Sequence, residues 1–256
     1  MPRVLPMIAI HDLVKRYGTF TAVDGVSLDV TPGEIHGFLG PNGAGKTTTL
    51  RMIAGLLKPT SGRILVNGHD LATDPEDAKM SLGFIPDRPF IYEKLTAGEF
   101  LTFHGGLYGL GEPGIGGRVR EMLALFELGK WEHELVESFS HGMKQRLVMC
   151  AAFLHRPRAV VVDEPMVGLD PRGARLIKDV FRTMSERGVG ILMSTHTLEV
   201  AQEMCDRISI ILKGKIIARG TVADIRAMGE RDDDQLTSVF LKLTGGSGLQ
   251  EIDEIV

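Results

Sequence analysis

A glycine-rich stretch that ends in lysine and threonine is the part of the sequence best suited to chemistry. It reads Gly-Pro-Asn-Gly-Ala-Gly-Lys-Thr over residues 40–47, follows a short apolar run at 35–39 and precedes helix-forming residues. Glycines let successive backbone N–H groups turn toward one anion, and the start of a helix adds its dipole. The pattern therefore predicts a phosphate-binding P-loop. The alternative, a glycine-rich turn that merely starts a helix, is disfavoured by this strand–loop–helix context.

The P-loop provides most of the predicted phosphate contacts. Lys46 is expected to bring a positive charge to the β- and γ-phosphates, and the Thr47 hydroxyl is expected to bind Mg²⁺. The predicted binding residues of this loop are Gly40, Asn42, Gly43, Ala44, Gly45, Lys46, Thr47 and Thr48.

Two acidic residues, Asp163 and Glu164, follow a second apolar run at residues 159–162. A buried parallel strand delivers the residues after it to the edge of the sheet where ligands bind. We therefore predict that Asp163 holds Mg²⁺, mostly through water, and that Glu164 orients or deprotonates an attacking water. The alternative is an acidic pair solvated at the surface, which the upstream P-loop disfavours.

Strand-like and helix-like segments alternate along most of the chain. This alternation predicts an α/β fold with a mostly parallel sheet flanked by helices. Helical spacing dominates from about residue 96 to 154, where Val119, Met122, Leu123 and Phe126 share one face. The tail at 229–256 is acidic, and Leu236, Phe240 and Leu243 are spaced for one side of a helix.

Composition limits the class of protein. The 256 residues are 43% apolar and 24% charged, which favours a buried core over disorder. A net charge of -4 argues against a nucleic-acid partner. Two cysteines cannot form a disulfide framework, which favours a reducing cytoplasm. No apolar run approaches the about 20 residues of a membrane span, and the first ten residues lack a signal-peptide core. We therefore expect a soluble cytoplasmic protein.

Residues 139–146, Phe-Ser-His-Gly-Met-Lys-Gln-Arg, resemble the signature sequence of the ATP-binding cassette (ABC) family, commonly Leu-Ser-Gly-Gly-Gln. The motif needs a serine hydroxyl and backbone N–H groups at a helix N-terminus, which Ser140, Gly142 and the Met143 amide supply. Ser140 is equally suited to be an ordinary helix cap, and both roles use the same donors. The sequence departs from the common form at Phe139, His141 and Met143.

Other positions extend the resemblance over nearly the whole chain. Tyr17 matches the aromatic residue that stacks on adenine, although a lone tyrosine more often packs. Residues 168–171 match the loop that touches the partner subunit, which places Asp170 among the implied nucleotide contacts. His196 matches the switch histidine that contacts the γ-phosphate. Asp87 occupies the position where the family commonly has glutamine. Whether Asp87 binds the metal directly or through a water molecule is therefore left open. The loop that contains Asp87 is implied to act as a hinge.

The resemblance implies a P-loop NTPase fold with an N-terminal antiparallel β subdomain and a helical subdomain inserted at about residues 90–155. The ATPase domain would span residues 1–228, followed by the tail. The implied ligands are ATP and Mg²⁺, and the implied catalytic residues are Glu164 and His196. Family members work as head-to-tail dimers, so that Ser140, Gly142 and Met143 would act on the ATP of a second subunit, identical or related.

Transport is the favoured function within the family. The resemblance implies an ATPase subunit that drives substrate export through a membrane permease on a separate chain. The ATPase subunit would lie at the inner face of the cell membrane and would have no membrane span of its own. Residues 140–146 and 239–245 look like the exporter branch. A soluble ABC ATPase in translation or DNA repair is the alternative, disfavoured by the single cassette and the lack of heptads. A regulatory module without hydrolysis is disfavoured by Glu164 and His196.

Overall fold

Two β-sheets organise the protein. The computed structural model describes residues 5–88, 90–228 and 240. The first sheet is antiparallel and contains β1 (Ile8–Tyr17), β2 (Phe20–Val30), β4 (Ser61–Val66) and β5 (His69–Asp70), in the order β2-β1-β4-β5. From Val26 to Val30 alternate residues of β2 are buried, as expected for a sheet with one face on a core.

The second sheet is mostly parallel and has the order β10-β9-β3-β8-β7-β6. Its strands are β3 (Ile35–Leu39), β6 (Leu82–Ile85), β7 (Ala159–Asp163), β8 (Gly190–Thr195), β9 (Arg207–Leu212) and β10 (Lys215–Thr221). Only β10 among these strands runs antiparallel to its neighbour. Every residue of β3, β7 and β8 is buried, as the continuous apolar runs predict for strands covered on both faces.

Helices flank the parallel sheet. They are α1 (Lys46–Ile53), α2 (Pro75–Met80), α3 (Ala97–Leu107), α4 (Ile115–Leu125), α5 (His141–Phe153), α6 (Pro171–Glu186), α7 (Leu198–Met204) and α8 (Val222–Ala227). Between β6 and β7 the chain forms α3, α4 and α5, within the segment where helical spacing is predicted. Within the described residues, each helix is too short or too polar to cross a membrane.

Two apolar clusters hold these layers together. The larger one joins α3–α6 to the parallel sheet and includes the fully buried Phe126 and Phe181. The smaller one packs the antiparallel sheet against α1 and α2. The predicted α/β fold, with its antiparallel β part and helical insertion, is confirmed. The tail prediction lies outside the described residues except for Phe240, which is half-buried against the larger cluster.

Candidate functional site

Three neighbouring strands deliver the predicted site residues to one edge of the parallel sheet. Leu39, the last residue of β3, lies opposite Thr195 at the end of β8. Asp163, the last residue of β7, lies opposite Ser194. The P-loop, the acidic pair and His196 each lie at one of these strand ends, and ligands of open parallel sheets bind at such ends.

Gly45 sets the close approach of the P-loop to the first sheet. Its φ of 111° is in the range that favours glycine, and a Cβ there would lie 2.6 Å from the carbonyl oxygen of Ala22. Helix α1 begins at the next residue, Lys46, and the Thr49 hydroxyl donates to the Gly45 carbonyl at 2.9 Å. Of the other predicted loop residues, Asn42 and Gly43 are exposed, Gly40 and Ala44 are buried, and Thr48 is half-buried.

The Lys46 ammonium is held inside the curl of the loop. Nζ donates to the carbonyl oxygens of Gly40 at 2.6 Å and Pro41 at 3.3 Å, and it lies 3.8 Å from Glu164 Oε1. The side chain is only 6% exposed. Burial lowers the pKa of Lys46, while the carboxylates of Glu164 and Asp163 act in the opposite direction. A buried cation beside a loop of N–H groups is suited to bind phosphate.

Thr47 and Asp163 form a second pair at the start of α1. The Thr47 hydroxyl donates to Asp163 Oδ2 at 2.7 Å, and the Ser194 hydroxyl donates to Asp163 Oδ1. These oxygens fit Mg²⁺, which is usually bound by one or two carboxylates together with phosphate oxygens and water. Within the described residues, no group of three or more His, Cys, Asp or Glu side chains is arranged to hold a metal ion.

Glu164 turns out of β7 in an unusual backbone conformation. Its φ is 50°, and its N–H points to the carbonyl oxygen and hydroxyl of Ser194 at 3.3 and 3.2 Å. The Glu164 carboxylate is 14% exposed and lies between the Lys46 ammonium and the His196 ring, with Oε1 2.9 Å from His196 Nδ1 and 3.8 Å from Lys46 Nζ. A half-buried carboxylate held in this way is placed to accept a proton from water.

The signature region lies at the beginning of α5. The Ser140 hydroxyl accepts a hydrogen bond from the Met143 amide at 3.3 Å, so it caps the helix as predicted for one of its two roles. A Cβ on Gly168 would lie 2.5 Å from Cδ2 of His141, which places the imidazole directly against the loop that follows Glu164. Asp170 caps α6 by accepting from the Gly173 amide at 2.8 Å.

The remaining predicted residues stand apart from this cluster. Tyr17 is half exposed, with Lys15 Nζ 5.1 Å from its ring centroid. Asp87 is exposed in the turn after β6 and has no hydrogen-bond or ion-pair partner among the described residues. The structure therefore brings together Lys46, Thr47 and Asp163 with Glu164 and His196. Within the described residues, no hydrogen bond links Tyr17, Asp87 or Ser140 to that group.

Ser194 is a member of the site that sequence reasoning did not predict. Its hydroxyl bridges Asp163 and the amide of Glu164, so it orients both acidic residues. The segment Ser-Thr-His at 194–196 contains the signal, but the family resemblance assigns a role only to its histidine. Small hydroxyl residues at strand ends are common, which is why the serine alone did not stand out.

Comparison with known proteins agrees with this geometry. The family model "ABC transporter" matches residues 23–167. The linearmycin resistance ATP-binding protein LnrL of Bacillus subtilis is 38% identical over 219 residues, covering 86% of this chain and 70% of that protein. The daunorubicin resistance ATP-binding protein DrrA3 of Streptomyces coeruleorubidus is 37% identical over 228 residues, covering 88% and 72%.

A solved structure described as the ATP-binding subunit of an ABC transporter superposes with a TM-score of 0.86 at 35% identity, covering 93% of this chain and 99% of that one. The P-loop, the acidic residues at the end of β7 and the histidine after β8 thus belong to a chain that shares its fold with the solved structure and about 35 to 38% of its aligned sequence with these proteins. The chain belongs to the ABC transporter family, as an ATP-binding subunit with ATPase activity.

Proposed function

We propose that residues 1–228 form an ATPase domain that binds ATP with Mg²⁺ at the P-loop and hydrolyses it with Glu164. The observation that supports this proposal is the position of the Glu164 carboxylate, which lies between Lys46 and His196. Glu164 also directly follows Asp163 in the sequence, and Asp163 accepts the hydrogen bond from Thr47. Phosphoryl transfer requires mainly positioning and charge stabilisation, and this cluster supplies both.

Each side chain has a distinct task in this proposal. Lys46 and the loop amides hold the β- and γ-phosphates, while Thr47 and Asp163 hold the cation. Bound Mg²⁺ would offset phosphate charge as the bond to the leaving group breaks. Glu164 accepts the proton of the attacking water, and His196, half exposed with Nδ1 2.9 Å from Glu164 Oε1, contacts the γ-phosphate.

The ATP site is completed by a second subunit in a head-to-tail dimer. Ser140 is exposed at the start of a helix of 13 residues, and the adjoining Gly142 and Met143 are only half-buried. The hydroxyl and N–H groups at this helix start are suited to bind an anion. Because Ser140 has no hydrogen bond to its own P-loop within the described residues, we assign these donors to the ATP of the other subunit, whether identical or related. Tyr17 stacks on the adenine, and Asp170 contacts the partner.

A cluster of exposed aromatic and apolar residues is the proposed contact with a membrane permease on a separate chain. It consists of Phe90, Tyr92, Phe103 and Leu107, of which Phe90 is 81% exposed. The Tyr92 ring meets those of Phe90 and Phe103 edge to face, with centroids 5.7 and 5.5 Å apart. Contiguous exposed apolar side chains are typical of protein interfaces. Docking there would place the subunit on the inner face of the membrane.

The segment between Asp87 and α3 connects this aromatic cluster to the rest of the molecule. Lys144 Nζ of α5 lies 2.5 Å from Glu93 Oε1, and the Glu137 amide donates to the Glu93 carbonyl at 3.0 Å. Motion of the segment would therefore reach the helix that begins at the signature. This connection supports a hinge that couples ATP hydrolysis to the permease, and the resistance proteins named above favour export as the direction of transport.

Co-purification with a membrane permease, identified by mass spectrometry of the recovered proteins, tests the transport proposal. We expect the wild-type protein to be recovered with that permease from solubilised membranes and Phe103→Ser to lose most of this association while keeping ATPase activity. Phe20→Ser removes an aromatic side chain from β2 that is more exposed than Phe103, at 63% against 46%, and should behave as wild type. Recovery of an active ATPase without any membrane partner would instead favour a soluble ABC ATPase.

Substitution of Asp87 tests its place at the metal. If Asp87 lies near Mg²⁺ in the ATP-bound dimer, Asp87→Ala should shift the Mg²⁺ dependence of turnover more than the affinity for nucleotide. The measurement is a Mg²⁺ titration of ATPase activity beside an ATP-binding titration, with Asp77→Ala in α2 as the control. An unchanged Mg²⁺ titration combined with lost coupling to the permease would make Asp87 purely a hinge residue.

A further inference from the structure

A groove with a volume of about 850 Å³ lies between α4, the end of α5 and α6. Its floor is apolar and is formed largely by Met122, Leu125, Phe153 and Val180. It involves none of the residues assigned above to ATP, the cation or the permease. Leu125 is 43% exposed, so the floor is open to solvent at this position.

Arginines surround this floor. Arg118, Arg156, Arg158 and Arg187 line the groove, together with only two acidic residues, Glu121 and Asp179. Arg118 is used structurally, because it donates to the carbonyl oxygens of Phe153 and Leu154 and pairs with Glu121 at 2.8 Å.

The other three arginines are not engaged in this way. The side chains of Arg156, Arg158 and Arg187 are exposed and make no hydrogen bond or ion pair with any described residue. The pKa of Glu121 is lowered mainly by Arg118 and further by Arg156 and Arg187, as expected in a positive field. The groove thus carries excess positive charge in a chain whose net charge is -4.

The sequence contains a segment with the opposite properties. Residues 249–256 read Leu-Gln-Glu-Ile-Asp-Glu-Ile-Val and carry three acidic residues and no basic one. Leu249, Ile252 and Val256 have the i, i+3, i+7 spacing of one helix face. The stretch before it, Gly-Gly-Ser-Gly at 245–248, has the composition of a flexible linker.

We propose that residues 249–256 of this chain dock in the groove, with their apolar face on the floor and their acidic side chains on the arginine rim. Residue 240 packs against the same apolar cluster that supplies Met122, Phe153 and Val180. Position 249 is nine residues further along the sequence, a separation that can span at most about 30 Å at about 3.3 to 3.6 Å per residue. Tethering by a short linker gives an effective concentration in the millimolar range, so a weak contact suffices.

Disulfide trapping in the full chain tests this docking. The pair Leu125→Cys and Ile252→Cys should form an intramolecular disulfide under mild oxidation, measured by mass spectrometry of the monomer. The native Cys150 and Cys205 are buried and should not compete. The control pair, Leu107→Cys with Ile252→Cys, places the first cysteine on an exposed position of α3 outside the groove and should react several-fold more slowly.

Reversal of the charges on the groove and on the segment is a second test of the docking. Arg156→Glu with Arg187→Glu should slow trapping of the Leu125 pair several-fold, and adding Glu251→Arg with Glu254→Arg should restore it. Arg120→Glu on α4, exposed but outside the groove, should leave the rate unchanged. Equal trapping at Leu107 and Leu125, insensitivity to charge reversal, or a disulfide only between two chains would each overturn the proposal, the last in favour of a second copy as occupant.

Discussion

Replacement of Glu164 with glutamine is expected to slow ATP turnover by about 10²- to 10⁴-fold, the usual loss for a general base. Glutamine keeps the shape of the side chain but removes the charge that polarises water, so it affects the transition state more than the ground state. Phosphate contacts from Lys46 and the loop amides remain. Because a carboxylate close to the γ-phosphate is removed, ATP binding should be maintained and an ATP-bound dimer should accumulate.

Size-exclusion chromatography with Mg²⁺ and ATP measures the dimer, and phosphate release measures turnover. Glu186→Gln, an exposed change at the end of α6, is the matched control and should retain wild-type turnover. Adding Ser140→Arg to Glu164→Gln should abolish the dimer, because a bulky side chain would occupy the place of the γ-phosphate. Wild-type turnover of Glu164→Gln would exclude Glu164 as the base, and a dimer that tolerates Ser140→Arg would exclude the head-to-tail arrangement.

Removal of the P-loop lysine should have the second large effect. Lys46→Ala eliminates a nearly buried ammonium and leaves the carboxylates of Asp163 and Glu164 without their nearest lysine. ATP would then meet two negative charges and lose a charge-assisted contact of about 1.5 to 3 kcal/mol, roughly 10- to 100-fold in affinity. We expect turnover to fall to background.

Isothermal titration with ATP and thermal unfolding distinguish this effect from misfolding. Lys46 donates only to loop carbonyls and packs in neither apolar cluster, so the fold should persist in the variant. Lys130→Ala, which removes an exposed lysine before α5, should bind and hydrolyse ATP as the wild type does. Unchanged ATP affinity in Lys46→Ala would show that the loop binds phosphate without this charge, contrary to the assignment.

Much of the fold follows from local sequence pattern. The apolar runs that became β3, β7 and β8 are continuous, as strands buried on both faces must be, and the helix face of Val119, Met122, Leu123 and Phe126 is buried as its spacing predicts. The strand–loop–helix context of the P-loop was equally explicit, because glycine, lysine and threonine occur there at fixed spacing.

Other features depend on register and packing between distant segments. Ser194 joins the site only because β8 pairs with β7 so that Ser194 faces Asp163. The groove between α4, α5 and α6 combines arginines far apart in the chain, so no single stretch of sequence reveals it. The position of Asp87 relative to a cation is likewise not encoded in its neighbours, since it depends on the closed dimer.

The positive φ of Glu164 also bears on how this protein would respond to selection for stability. A non-glycine residue held in that region costs of the order of 1 to 3 kcal/mol. Glycine at position 164 would remove this conformational free-energy cost, and asparagine would reduce it. Neither residue has the carboxylate that Glu164 supplies. A thermostability screen that ignores turnover should therefore enrich inactive variants at this position, which makes the bend after β7 a point where folding stability and ATP hydrolysis oppose each other.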